Sequence, residues 1–273
     1  MPASLSTMPN FRRSLGRWFL LIGSTPVLLL LPFLWTLAMW LVLQAFGYIG
    51  SPLVLAQAVG MPPLSVSSDL QNALVVLGQP GGVYAALPAL LLRTILVGLL
   101  AGLVVETLHD GRPTILGVLD GIRGMPVIFG ALVLNLLSVV ALAFAVQLGP
   151  GLGSLVQVAL PAVALWLLGF VPFVAVTERR GLSSAIQRSV LGARTPGGRH
   201  FLFSLLYLLL LTFVQVLTPG AATTANPGIA TWAFILVVNY VHVGFFAAFG
   251  YRWLVVRHSV PEPAARAPVR VPH

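Results

Sequence analysis

Six stretches of this chain, about residues 18–45, 84–106, 126–147, 154–177, 201–218 and 230–254, are apolar over the length a helix needs to cross a bilayer. The hydrocarbon core is about 30 Å thick and takes roughly 20 residues of α-helix, since only a helix pairs all its own backbone groups where water is absent. That constraint predicts an all-α fold: a polytopic bundle of six transmembrane helices in one domain covering 1–256. Composition agrees. Of 273 residues, 58% are hydrophobic and 8% charged, at a mean hydropathy of +0.98, which is outside the range of soluble domains. The first stretch follows "NFRRSLGRW", loosely similar to a twin-arginine export signal. Its apolar run is far longer than a signal core of roughly 7–15 residues, so a retained helix is expected.

Charge orients these helices. All 15 basic residues are arginine, giving a net charge of +9 that does not titrate near neutrality. Arg12, Arg13 and Arg17 precede the first helix, and Arg112 and Arg123 lie between the second and third. Arg179, Arg180, Arg188, Arg194 and Arg199 lie between the fourth and fifth, and Arg252, Arg257, Arg266 and Arg270 end or follow the sixth. The alternate loops, about 46–83, 148–153 and 219–229, hold no arginine and one acid, Asp69. Arginine-rich loops stay on the cytoplasmic side. Both termini are therefore expected inside a cell membrane, as in the bacterial cytoplasmic membrane. Cations beside apolar runs meet anionic lipid headgroups first, so membrane lipids are the expected partner, with a membrane-protein partner or a second copy as alternatives, and nucleic acid is not expected. The absence of cysteine removes disulfides, thiolate nucleophiles and thiolate metal sites. A short surface helix is predicted in "SVSSDLQNALVVLG" of the long outer loop, and 257–273 is expected to be a disordered cytoplasmic tail.

Two stretches repeat one another. "PALLLRTILVGLLAGLVVETLHDGRP" from Pro88 and "PAVALWLLGFVPFVAVTERRGL" from Pro161 each run from Pro-Ala to a glutamate, Glu106 or Glu178, and on to Gly and Arg. A polar segment, then Pro126 or Pro196, then another apolar helix follow each glutamate, so the repeating unit is helix, interfacial segment, helix. In the second copy, helical spacing puts Leu182, Ile186, Ser189, Val190 and Ala193 on one face and Ser184, Arg188 and Gly192 opposite. In the first, Ile115, Val118, Leu119 and Ile122 oppose Gly117, Asp120 and Gly121. Amphipathic helices of this kind lie in the headgroup plane. On that reading Arg112, Arg123, Arg179, Arg180, Arg188, Arg194 and Arg199 are the candidate contacts to anionic lipid.

The sequence Glu178, Gly181, Ala185, Arg188, Ser189 and the apolar helix from Phe201 resembles a bacterial six-helix membrane-protein family that includes the membrane domain fused to some glycerophosphodiester phosphodiesterases. The resemblance covers about 160–220, and 88–150 more loosely, because Gly117-Val118 stand where Arg-Ser would be. Catalysis in that family belongs to a separate soluble barrel. The resemblance therefore implies a non-enzymatic membrane module of undefined activity, one that contacts lipid or a partner. A transporter or permease subunit for a small or anionic substrate is the alternative, and an intramembrane enzyme the third. The docking helix of ABC importer permeases also opens on glutamate, but wants two alanines after it and a closing Ile-x-Leu-Pro, which "ERRGLSSAIQRSVLGARTP" lacks.

No catalytic motif is present: no HExxH, no GxSxG, no phosphate loop and no paired intramembrane carboxylates. Asp110 and Asp120 are too few for the acidic motif of CDP-alcohol phosphotransferases, and no cofactor or metal is expected. Arg93 stands out, since a central arginine costs a helix roughly 2.5–3.5 kcal/mol on insertion. Counting inward from the helix ends, Arg93, Asn135, Asn239, Tyr240 and His242 lie at similar depth and form a candidate intramembrane polar patch. Arg93 alternatively snorkels to the outer phosphates. Gly98 and Gly102 form a GxxxG step for a close helix neighbour. Pro26, Pro32, Pro88, Pro161 and Pro172 are expected to kink their helices, and Trp18, Trp232 and Trp253 to anchor at the interfaces.

Overall fold

The computed structural model describes residues 8–45, 82–145, 149–195, 199–217 and 228–262. Its regular elements there are α1 Phe11–Ser24, α2 Val27–Ala45, α3 Gly82–Asp110, α4 Ile115–Ala145, α5 Pro150–Leu168, α6 Val171–Glu178, α7 Leu182–Ala193, α8 Arg199–Leu217 and α9 Ile229–Val256. The all-helical expectation holds for all described elements. The surface helix expected at 65–78 and the tail beyond 262 lie outside the described residues. By length and apolarity, Leu90–Asp110, Ile115–Leu134, Ala159–Glu178 and Ile229–Val256 can each cross a membrane, and α1 with α2 makes a fifth candidate if the bent pair is one span. α8 adds a shorter apolar stretch, Arg199–Leu211. The long helices leave large apolar side chains exposed, among them Leu91, Leu134, Val163, Phe213 and Leu236, a surface suited to lipid.

The first predicted helix is two helices. α1 and α2 meet at Thr25-Pro26 and bend by 79°. Pro26 has no N–H to continue the ladder and pushes Thr25 out of the helical region, to φ −140° and ψ 72°. α1 is also the more polar, with Arg12, Arg13 and Arg17 exposed and Ser14, Trp18, Leu21 and Ile22 buried. Together the pair follows α9 along its length. Arg252 bonds Ser14, the Trp18 ring packs on Phe245 and Tyr240, and Phe33 and Trp40 meet Trp232. Gly244 provides the surface for Trp18, since a Cβ there would collide with the indole.

α3 and α4 form a tight antiparallel hairpin joined by the turn at Gly111, whose φ of 77° is the left-handed region. Its seam is glycine on glycine: Gly98 and Gly102 of α3 face Gly121 and Gly117 of α4. A Cβ on Gly102 would strike the Gly117 carbonyl and come within 2.8 Å of the Gly121 nitrogen. The first-copy interfacial segment is therefore not a separate surface helix. α4 runs unbroken from Ile115 through Pro126, its glycines packed inward and Ile115, Leu116, Leu119 and Ile122 exposed. The second copy does contain a separate short helix, α7, so the two halves of the repeat differ in the structure.

α5 and α6 are one apolar run broken at Gly169-Phe170, where Pro172 opens the second segment. Ser189 on α7 bridges the break: its hydroxyl donates to the Leu167 carbonyl at 2.7 Å and accepts the Phe170 N–H at 3.2 Å. Around it sits an aromatic core of Phe170, Phe173, Phe203, Phe245, Phe249 and Trp253, all essentially inaccessible.

Candidate functional site

The residues that carried the family resemblance converge at one end of the bundle. Arg188 is buried, with a side-chain exposure of 5%, and grips Glu178 with two parallel bonds, Nε to Oε2 at 2.9 Å and Nη2 to Oε1 at 2.7 Å. Its remaining donors reach main chain just after α9: Nη1 to the carbonyls of Val260 and Pro261, and Nη2 to that of Arg257. The guanidinium lies 5.8 Å from the Trp253 ring. Gly181 begins α7, Ala185 is fully buried, and a side chain at Gly192 would press on Trp253. Arg180 bonds Glu178 at 2.7 Å and Glu262 at 2.8 Å. The hydrogen bond from Arg180 holds the Glu262 carboxyl below its usual range, and the same bond raises the already high pKa of Arg180.

Three expectations change here. Arg188 was placed among the headgroup contacts on the polar face of α7; that face, with Arg188 and Gly192, instead turns inward against α6 and α9. The first residues of the expected disordered tail, 257–262, are held against Arg188 and Arg180, and Val260 joins the core. Trp253, expected as an interfacial anchor, is buried and donates to Thr177 Oγ1 at 3.0 Å, and Trp18 is buried on α9. Trp232 sits at the opposite end with Trp40.

A second buried arginine ties three segments at the same end. Arg252, with no exposure, donates to Ser14 Oγ at 3.0 Å, the Arg199 carbonyl at 3.1 Å and the Pro9 carbonyl at 2.9 Å, and lies 4.2 Å from the Phe203 ring. Sequence reasoning passed over it as one more flanking arginine. Its signal was its position inside the last apolar run, two residues before the end of that run at 254. Of the other candidate lipid contacts, Arg112, Arg194 and Arg199 are exposed, while Arg123 and Arg179 share Asp120 at 3.2 and 3.0 Å and remain more than half exposed.

The intramembrane candidates divide. Arg93 is 8% exposed, on α3, which packs against α9, so it faces the bundle. Asn239 and His242, one turn apart on α9, are buried. His242 Nδ1 is 2.7 Å from the hydroxyl of Tyr207 on α8, a partner the sequence reading missed. Its signal was a lone phenol inside "LFSLLYLLLL". Both amide atoms of Asn239 and Nε2 of His242 have no hydrogen-bond partner among the described residues. Tyr240 does not join them: its ring packs on Trp18 and Phe19. Asn135 lies on α4, and its side chain is outside the described set. No group of three His, Cys, Asp or Glu able to hold a metal occurs among the described residues.

Comparison of the chain with protein-family models, with curated proteins and with solved structures finds no match.

Proposed function

We propose that the chain is a six-span, non-catalytic membrane module of the bacterial cytoplasmic membrane, with both termini inside, whose arginine-rich end holds anionic lipid headgroups. The observation that supports this most is that contacts gather the arginine-bearing segments at one end. Ser14 and Arg199 meet Arg252, Asp120 joins Arg123 to Arg179, and Arg188 meets the segment after α9. The start of α1, the turn between α3 and α4, the stretch from α6 to α8 and the end of α9 thus share a face. With each apolar segment crossing once, that is the parity of six spans. The positive-inside rule makes the shared face cytoplasmic. Exposed Ile115, Leu116, Leu119 and Ile122 beside Arg112 and Arg123 fit the boundary between acyl chains and headgroups, where each arginine contributes about 1 kcal/mol. The resemblance to the membrane domain of some glycerophosphodiester phosphodiesterases points the same way.

The test spares Arg188 and Arg252, which are buried at this end. Replacing exposed Arg112, Arg179, Arg194 and Arg199 by glutamine should lower the phosphatidylglycerol retained by the purified protein in mixed bilayers, with the difference vanishing at high salt. Equal retention at low salt would remove the headgroup reading. The buried cluster around His242 favours a second reading, a transporter or permease subunit for a small anionic substrate, because intramembrane ionisable groups are costly unless used.

A further inference from the structure

We propose that Asn239 and His242 on α9, with Tyr207 on α8 and in the field of Arg93 on α3, form an intramembrane binding site for an oxyanion. The starting observation is a pair of polar side chains at the wrong price for structure alone. Asn239 is 0% and His242 1% exposed, yet neither amide atom of the one nor Nε2 of the other bonds any described residue. An unmade bond on a buried polar group is destabilising, and the aliphatic residues that fill much of α9 would avoid that cost at both positions. Placed i and i+3, the two side chains adjoin on one face of α9.

The chemistry of the exposed atoms selects the ligand. The Tyr207 hydroxyl lies 2.7 Å from His242 Nδ1; in the tautomer in which that nitrogen accepts the phenol's proton, the ring carries its own proton on Nε2, and the proposed site uses that tautomer. The site then offers Nε2–H and the Asn239 amide N–H pair as neutral donors, and the buried Arg93 cation on α3, which packs against α9, biases it toward negative charge. Donors plus a fixed positive field, away from bulk water, describe an oxyanion site, and one acceptor, Asn239 Oδ1, remains for a protonated ligand oxygen. Arg93 enters only through its charge; its own bonding is not used. The inference needs the spanning arrangement but not the headgroup contacts at the arginine-rich end.

The test uses the full chain in phosphatidylcholine nanodiscs, with two probes that separate the sources of the oxyanion: phosphatidylglycerol doped into the disc and inorganic phosphate in the buffer. Native mass spectrometry reads stoichiometry and thermal unfolding reads stabilisation. Saturable one-to-one binding of either probe is expected, weakened at least tenfold in Asn239→Leu and in His242→Phe. It should be unchanged in the four-arginine glutamine variant, whose own defect is the salt-sensitive loss of bulk anionic lipid. Asn239→Leu should unfold no earlier than the parent, because it removes a buried amide that no described residue satisfies. The proposal is overturned if neither probe binds one-to-one, if both substitutions leave binding intact, or if Asn239→Leu lowers the melting temperature, since the amide would then be serving the fold.

Discussion

Arg188 and Ser189 are adjacent on α7 and do opposite kinds of work. Arg188 gathers a carboxylate and three carbonyls from segments distant in sequence, whereas Ser189 repairs a local fault in the α5–α6 run. Removing the arginine takes away the two-bond partner of Glu178 in a nearly closed site, leaving it only the more exposed Arg180, and strands three carbonyls; breaking a buried pair from one side costs about 3–5 kcal/mol. Arg188→Met should therefore lower the melting temperature sharply in detergent, while Glu178→Gln with Arg188→Met should recover part of the loss. Ser189→Ala should cost about 1–3 kcal/mol by orphaning the Phe170 N–H and the Leu167 carbonyl, and a change smaller than about 0.5 kcal/mol would mean that water replaces the hydroxyl. The sequence announced both residues through the Glu-to-Arg-Ser spacing, but not their direction. Periodicity assigns Arg188 to the polar face of an amphipathic helix, and only the facing carboxylate and carbonyls show that this face is the buried one. Asn239 and His242 were legible by depth; Tyr207 was not, because its helix reads as an uninterrupted apolar run.

At the scale of elements, the α3–α4 hairpin is held by four glycines whose missing side chains let two backbones touch. Gly102→Ala places a methyl against backbone that cannot rotate aside, and should destabilise by at least about 2 kcal/mol. Gly16→Ala is the control. A Cβ there meets nothing within 4 Å, so the change should be neutral or stabilise α1 by up to about 1 kcal/mol. Thermal unfolding of the two variants side by side checks both signs. The GxxxG step of α3 was visible in the sequence, but its partner, Gly117 and Gly121, was read as the polar face of a surface helix. Small residues look alike whether they face water or another backbone. The segment after α9 makes a pH prediction. Because the Glu262 carboxyl is held below its usual range, its tie to Arg180 adds stability above that range and loses it as pH falls through the lowered value. A fluorophore on Ser259→Cys should report the segment fixed at neutral pH and loosened only as pH falls below the ordinary carboxylate range, and Glu262→Gln should remove that acid transition.

For the whole molecule, apolar length was enough to reveal the helices, because the bilayer imposes it on any sequence. It did not reveal the 79° bend at Pro26, whose direction is set by where Trp18 and Trp40 find α9, nor that α4 begins at Ile115. On the function proposed above, the arginine-rich end is one cytoplasmic face shared by both termini of a six-span bundle. The chain has no cysteine, so each introduced thiol is unique. Single variants Ser183→Cys and Ser259→Cys sample the arginine-rich end, and Ala230→Cys the end of α9 that carries Trp232; all three positions are exposed. Treated with a membrane-impermeant maleimide on intact cells, Ala230→Cys should label at once, and Ser183→Cys and Ser259→Cys only after permeabilisation. Labelling of either arginine-end thiol from outside, or protection of Ala230→Cys until the membrane is opened, would contradict it.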